Sequence, residues 1–492
     1  MVSSSSAVTD SDDFVTRSRE FVDWFRNAPG TRLSAKIELA DLRHRGAGRG
    51  VVATEDIAQD EELFAVPRSL VLMATTTTNT TSDYVPATPL PDHNSWLPLI
   101  IVTIQQLLRR EQSKWHPYFR VLPATFDSLM FWSEEELAEL QASAVRHRIG
   151  KEAADSDLRE TIWPVIKADP GSFHLQGASD EERAEQAIRL GHYAGSLIMA
   201  YAFDVDRDDD SNLEEGKQSN GNGAADEDED DLQSDDEDNP LKCLVPFADM
   251  LNADADRNNA RLFQEEDGYL VMKAIKPIKA GEECLNDYGS LPRSELLRMY
   301  GYVTDNYKQY DVVEFSLDLI ENVAGASRAE SKAWRRKKAQ LEEIGVLDDG
   351  YSFPQPEPSA SLVDAIPGDL HMVLRGLCNN TPQPDGSSSR GSLTVDEAAL
   401  LSAVATKKLS EYATSLQADT NSLLTDAPPP TGSVSAKRYQ MAIQVRIGEK
   451  EILLQVINLC KDFIAARTNE QKRKLVSGHS SPPSKKKKSR AS

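Results

Sequence analysis

Asp249-Met250-Leu251-Asn252 and Asn286-Asp287-Tyr288-Gly289, the second followed shortly by Tyr300-Gly301-Tyr302, decide how this chain is read. Short apolar runs at 243–247, 260–264, 269–276 and 282–286 surround them. Turn-forming residues bound these runs, which read as strands. Upstream, Gly48-Arg49-Gly50 precedes Val51-Val52-Ala53. A dinucleotide fingerprint follows a strand and opens a helix. This GxG does the reverse, which excludes that reading and leaves a turn before a strand. Alternation at Ala35, Ile37 and Leu39, and the run Leu63-Phe64-Ala65-Val66-Pro67, add two more strands. Read alone, Tyr288 is equally a buried structural tyrosine and Asn252 a turn residue.

The intervening segments have helical spacing. Phe14, Phe21, Trp24 and Phe25 predict an amphipathic helix over 13–27. Trp96 to Arg110 opens a strongly apolar helix after a Thr-rich loop at 74–82. Ser133 with Glu136, and Ser179 with Glu182, are capping boxes, the second starting a helix that runs toward Tyr201. Residues 95–203 are therefore mainly helical between two strand-rich stretches, as an insertion into one β domain would be. Pro292 to Tyr300 reads as a short helix, and Val312 to Leu319 alternates once more. From 321 onward the pattern is helical, at 324–344, 361–376, 394–424 and 437–468.

A chain of 492 residues with 39% hydrophobic residues has room for two or three domains. It holds no apolar run of membrane-spanning length, and its Ser-rich, acidic start lacks the features of a secretory signal. No membrane partner is expected. Cys243, Cys284, Cys378 and Cys460 lie far apart with no C-x-x-C pair, so neither structural zinc nor any other metal is expected. The net charge is −24, and residues 204–239 alone carry −15. That acidic stretch has almost no apolar residues and reads as a disordered loop. It is either solvated filler or a device that steers basic substrates. The opposite sign collects at the end, in Lys472-Arg473-Lys474 and Lys485 to Lys488. The two clusters fit a two-part nuclear import signal, with an import receptor as partner. Nucleic acid is the competing partner and the less favoured one.

Taken in order, the Gly48-Arg49-Gly50, Asn252, Asn286-Asp287-Tyr288-Gly289 and Tyr300 segments resemble the SET domain of protein lysine methyltransferases. The similarity is to the Rubisco-methyltransferase-like class, and the branch is that of the fungal ribosomal and animal SET-domain enzymes. The lack of cysteine-rich flanks agrees with this class. The resemblance implies an α+β protein, with a SET domain of small β-sheets, a pseudoknot and an inserted helical subdomain, followed by an all-α C-terminal domain. The boundaries expected are 1–30 for an N-terminal helix and 31–320 for the SET domain. Within the SET domain, 95–203 is the helical insert and 204–240 the acidic loop. The α-helical substrate-binding domain is expected over 321–470, and a disordered basic tail over 471–492.

The resemblance also assigns roles. Tyr288 matches the catalytic tyrosine. Ala47, Gly48, Arg49, Tyr201, Asn252, Ala253 and Tyr300 match positions that hold S-adenosyl-L-methionine. Trp96, Ala202 and Asp204 match positions that receive the substrate, and Asp204 is in place for basic residues flanking the acceptor lysine. Ala253 departs from the pattern, since many relatives carry His there. Methyl transfer from a sulfonium to a neutral amine needs alignment of the two partners and an apolar, aromatic channel that lowers the lysine pKa. Aromatic faces add cation–π attraction. The expected function is protein-lysine N-methylation, with a protein of the 60S ribosomal subunit as substrate and the nucleus, with some cytoplasm, as location. Methylation of histones or other nuclear proteins is the alternative, and a non-catalytic SET-like binding protein is a second.

Overall fold

The computed structural model describes residues 4–74, 96–206, 240–265, 267–325, 332–378 and 393–478. The Thr-rich loop, nearly all of the acidic stretch and Lys485 to Lys488 lie outside them. The chain forms two compact units. One comprises Met1–Trp132, His147–Leu291 and Glu295–Tyr307. The other comprises Ser133–Arg146, Pro292–Ser294 and Lys308–Ser492.

Among the described residues, the first unit is built on ten short strands. These are β1 (Arg32–Leu33), β2 (Ile37–Asp41), β3 (Arg49–Ala53), β4 (Glu62–Pro67), β5 (Leu72–Met73), β6 (Ala202–Val205), β7 (Leu241–Leu244), β8 (Ala260–Gln264), β9 (Tyr269–Ala274) and β10 (Glu283–Cys284). They form three small sheets, in the orders β1-β4-β9-β8, β10-β3-β2 and β5-β7-β6. β4 is central in its sheet, and Leu63, Phe64, Ala65 and Val66 are all fully buried, as a strand covered on both faces requires. In the third sheet Ala202 faces Leu244 and Asp204 faces Lys242, so the acidic insert is the connection between these two paired strands.

Helices cover the sheets. Trp96–Arg109 buries Leu99, Ile100, Ile101 and Ile104. Asp180–Tyr201 starts where the Ser179 hydroxyl accepts the Glu182 N–H, with Asp180, Glu181 and Glu182 stabilising the positive end of its dipole. The N-terminal helix spans Ser4–Asn27. It is no separate module, because Phe21 and Phe25 are fully buried in the same core as Phe64 and Phe247. Phe25 and Phe64 lie 4.9 and 5.0 Å from the Phe247 ring.

The second unit is helical apart from β11 (Val312–Ser316) and β12 (Gly350–Pro354), paired antiparallel. β12 falls in the gap between the helices expected at 324–344 and 361–376. Tyr351 and Phe353 bury alternately in the strand manner, and their pairing partner lies far off in sequence. Val312 to Leu319 also divides, because the Ser316 hydroxyl accepts the Leu319 N–H and starts the helix Leu317–Ala324. The expected helix over 394–424 is two, Val395–Leu409 and Leu416–Leu424, with Ser415 capping the second. The helix Ala436–Gly478 carries Lys472, Arg473 and Lys474, so the tail expected to be disordered from 471 begins as helix. Lys, Arg, Gln and Leu sustain a helix well. The boundary expected at 320 falls at 307, and residues 133–146 belong to the second unit.

Candidate active site

Asn252 and Asn286 draw the two deciding segments together. The Asn286 N–H donates to the Asn252 carbonyl at 2.8 Å, and the Asp254 N–H donates to the Asn286 carbonyl at 3.0 Å. Ala253 thereby bridges Asn286 in parallel through its backbone. The Asn252 side chain faces the other way. Its Nδ2 donates to the Arg49 carbonyl at 3.2 Å and to Glu283 Oε1 at 2.7 Å. The Gly-Arg-Gly turn is thus fastened to the Asn252 segment.

Within that turn the two glycines differ. A Cβ at Gly50 would lie 2.3 Å from Leu42 Cδ1 and 2.7 Å from Glu283 Oε1, so a larger residue would have to displace both side chains, the second of them the acceptor for Asn252. A Cβ at Gly48 would meet nothing within 4 Å. Gly48 is exposed and Ala47 half-buried, leaving open space beside the backbone where a cofactor would approach. The Arg49 side chain turns inward. Its Nη1 donates to the Val121 carbonyl at 2.7 Å, its Nε donates to Ser18 Oγ at 2.9 Å, and its guanidinium lies 3.8 Å from the Phe14 ring centre. Burial, with Arg17 and Arg43 nearby, lowers its pKa to about 10.

Tyr288 is buried at 7% exposure and stacks face to face on Tyr300, with ring centres 4.4 Å apart and planes 4° from parallel. Tyr302 sits edge-on to Tyr300 at 6.3 Å. The Tyr288 hydroxyl donates to the Leu251 carbonyl at 3.5 Å, the long limit of a hydrogen bond, so its lone pairs stay open to a ligand. Burial pushes the Tyr288 pKa well up, and the neighbouring Tyr300, Tyr302, Tyr201 and Asp249 add to this. Tyr201 is raised by burial and by Asp249, Tyr193 and Tyr302. These buried hydroxyls therefore lie close enough to raise one another's pKa. Gly301 lets the chain turn between Tyr300 and Tyr302. Its φ is +73°, and a Cβ there would come within 2.6 Å of the Ser128 nitrogen.

Asp249 is a candidate side chain that sequence reasoning missed. Its carboxylate is buried, and one oxygen accepts the Tyr118 hydroxyl. The other, Oδ1, makes no hydrogen bond among the described residues. Burial raises its pKa to about 8 against the Tyr118 hydroxyl and the nearby backbone N–H groups of Asp249 and Phe247. The preceding Phe247 holds φ +81°, a strained conformation for a bulky residue, and the packed aromatic rings around it keep it there. An unpaired buried acceptor and a strained backbone next to it are features of a site rather than of a core. The signal in sequence was its place three residues before Asn252.

Tyr288, Tyr300, Tyr201, Asn252, Ala253, Gly48 and Arg49 are drawn together by these contacts. Trp96, Ala202 and Asp204 form a second group on and beside β6. Lys242 joins it, donating to Asp204 Oδ1 at 3.2 Å with its Nζ 5.2 Å from the Trp96 ring centre. Asp204, expected to be open to a basic substrate residue, is already paired.

A SET domain family model matches residues 48–289, and a Rubisco LSMT substrate-binding model matches 386–453. The chain belongs to the SET-domain protein-lysine methyltransferases of the Rubisco-methyltransferase-like class. It is 37% identical to the ribosomal lysine N-methyltransferase 4 of Saccharomyces cerevisiae over 320 residues, which is 64% of this chain and 60% of that protein. It is 29% identical to the human N-lysine methyltransferase SETD6 over 441 residues, 84% of each chain. A crystal structure of the SET domain of LSMT bound to lysine and AdoHcy shares the fold, with a TM-score of 0.60 at 20% identity over 91% of each chain.

Proposed function

We propose that this protein transfers a methyl group from S-adenosyl-L-methionine to a lysine of a 60S ribosomal subunit protein, and that it does so in the nucleus. The observation that carries the reaction is the buried Tyr288–Tyr300 stack beside the unpaired Asp249 oxygen. The cofactor, when bound, supplies an electrophilic methyl on a sulfonium. Gly48 and Ala47 offer open backbone for it, the Asn252 segment fastens that turn, and the face of Tyr300 packs beside it. The Tyr288 hydroxyl, lightly held by the Leu251 carbonyl, orients the acceptor amine. Once ionised, above its raised pKa of about 8, Asp249 accepts an N–H of the arriving lysine through Oδ1. The surrounding dry aromatic walls favour the neutral amine over the ammonium.

Two observations support a ribosomal substrate. The yeast relative is named for ribosomal lysine methylation. The β6–β7 connection, residues 206–240, carries −14, suited to steering a basic protein toward the adjoining strands. The basic pair Lys472-Arg473 and the run Lys485 to Lys488 support nuclear import through an import receptor.

The test uses labelled S-adenosyl-L-methionine with a ribosomal protein extract and a histone preparation, and Tyr288→Phe as control. A labelled ribosomal band that disappears in the variant is the expected result. Label on histones alone would keep the reaction and replace the substrate.

A further inference from the structure

Lys242 holds an arrangement that the reaction leaves unused. β6 starts directly after Tyr201, at the edge of the β5-β7-β6 sheet, and carries Ala202 and Asp204 on one face. At about 3.3 Å per strand residue, the Asp204 Cα lies roughly 10 Å from that of Tyr201. This is the separation between an acceptor lysine and a side chain two or three residues away in an extended substrate. Lys242 stands opposite Asp204 on β7. Its ammonium is caught between the Asp204 carboxylate at 3.2 Å and the Trp96 face at 5.2 Å. The Lys242 side chain is 16% exposed and that of Asp204 37%, so the pair is open to solvent on one side. A carboxylate and an indole face are the two groups that recognise a cationic side chain.

We propose that Lys242 is a specificity-determining residue, an internal cation occupying the seat that Asp204 and Trp96 would otherwise offer to a basic residue flanking the acceptor lysine. The inference rests on the lysine-methyltransferase reading above. A substrate with a basic residue at that position must displace Lys242 into water or meet its charge. A substrate with a neutral residue there meets neither obstacle. The acidic sequence between Asp204 and Lys242 therefore does not translate into a preference for a basic neighbour at this point. Selection arises instead from a pre-filled site, a repulsive element of specificity.

The experiment uses the full chain and 15-residue peptides with one central lysine. At each of the three positions on either side, Arg is compared with Gln. Wild type, Lys242→Met and the double variant Lys242→Met/Asp204→Asn are assayed with labelled S-adenosyl-L-methionine. Methionine keeps an unbranched side chain against Trp96 and removes the charge. The readout is the Arg-to-Gln ratio of kcat/KM. In Lys242→Met this ratio should rise about fivefold at one or two positions, in keeping with a half-exposed ion pair with an aromatic neighbour. It should fall back in the double variant. The same ratio is read as Kd by fluorescence anisotropy of labelled peptides in the presence of S-adenosylhomocysteine, which decides the proposal without turnover. A ratio unchanged at all six positions, a rise that survives loss of the Asp204 charge, or no peptide binding by any form overturns it. Failure of wild type to label peptides or ribosomal extract would instead overturn the methyltransferase reading.

Discussion

Asp249 in the SET unit and Asp419 in the helical unit are both carboxylates taken out of water, and the chain surrounds them differently. Asp419 is enclosed by cations and a hydroxyl. Lys450 donates to its Oδ2 at 2.5 Å, Arg446 donates to Oδ1 at 2.9 Å and to Oδ2 at 3.2 Å, and the Thr414 hydroxyl donates to Oδ1 at 2.7 Å. Burial pushes its pKa up, but Lys450 and Arg446 more than offset this and the net shift is downward. Asp249 has one hydroxyl partner, an open oxygen and a pKa raised to about 8. A carboxylate buried for structure has all its acceptors filled. One buried for chemistry keeps an acceptor in reserve, at a cost in stability.

That contrast is broken most severely at Asp419. Asp419→Ala leaves the Lys450 charge buried without its carboxylate and Arg446 with Glu139 alone, which should cost about 3–5 kcal/mol. The loss should appear as faster hydrogen exchange in Leu416–Leu424 and Ala436–Gly478, with cofactor affinity retained in whatever fraction stays folded. If exchange there is unchanged, the network is not what holds those helices. Tyr288→Phe probes the other side. It removes one hydroxyl bonded only at 3.5 Å, so stability should hardly move. Methyl transfer should fall about 10²–10³-fold, the usual consequence of losing one transition-state donor or orienting group. Calorimetric binding of S-adenosyl-L-methionine should persist. A variant retaining more than a tenth of the rate would remove Tyr288 from the chemistry.

How much of this was legible in the sequence follows the same division. The strands around 48–67 and 243–286 and the capped helix ending at Tyr201 were readable, because their signals are local: alternation, caps and turn residues. The candidate tyrosines and Asn252 were readable as a pattern in chain order. What escaped depends on distant partners. Lys450 and Arg446 read as ordinary surface cations until Asp419 is seen packed against them. Lys242 meets Asp204 only through strand register across a long acidic connection, and β12 finds β11 across a helical stretch. Asp249 was quoted as part of a motif, but its open oxygen is a property of the packed fold.

The two carboxylates should also respond to pH in opposite senses. Asp249 has a folded pKa near 8, raised above its unfolded value. Its contribution to stability is therefore full below about pH 4 and is lost as pH rises toward 8. Asp419 is depressed, so its contribution is present at neutral pH and lost as pH falls below the usual carboxylate range. Asp249→Asn keeps an acceptor for Tyr118 and removes the ionisation. Its stability relative to wild type should rise steadily between pH 4 and pH 8 and then level off. Urea denaturation across that range measures it. A difference independent of pH would mean that Asp249 is already ionised in the folded protein.

The smallest effect is expected at Ala253, where the sequence departs from the pattern it otherwise resembles. On either side of this residue the Asn252 carbonyl and the Asp254 N–H make the bonds to Asn286, and the Ala253 side chain takes no part in them. The backbone carries the connection between the two deciding segments, so side-chain identity at 253 should matter little. Ala253→His should change the Kd for S-adenosyl-L-methionine by less than about threefold, under roughly 0.7 kcal/mol. A tenfold gain in affinity would show that an imidazole makes a contact the backbone alone does not supply. The Asn252 segment would then belong with Asp249, as a place where the fold keeps bonding capacity in reserve, rather than with the fully satisfied network around Asp419.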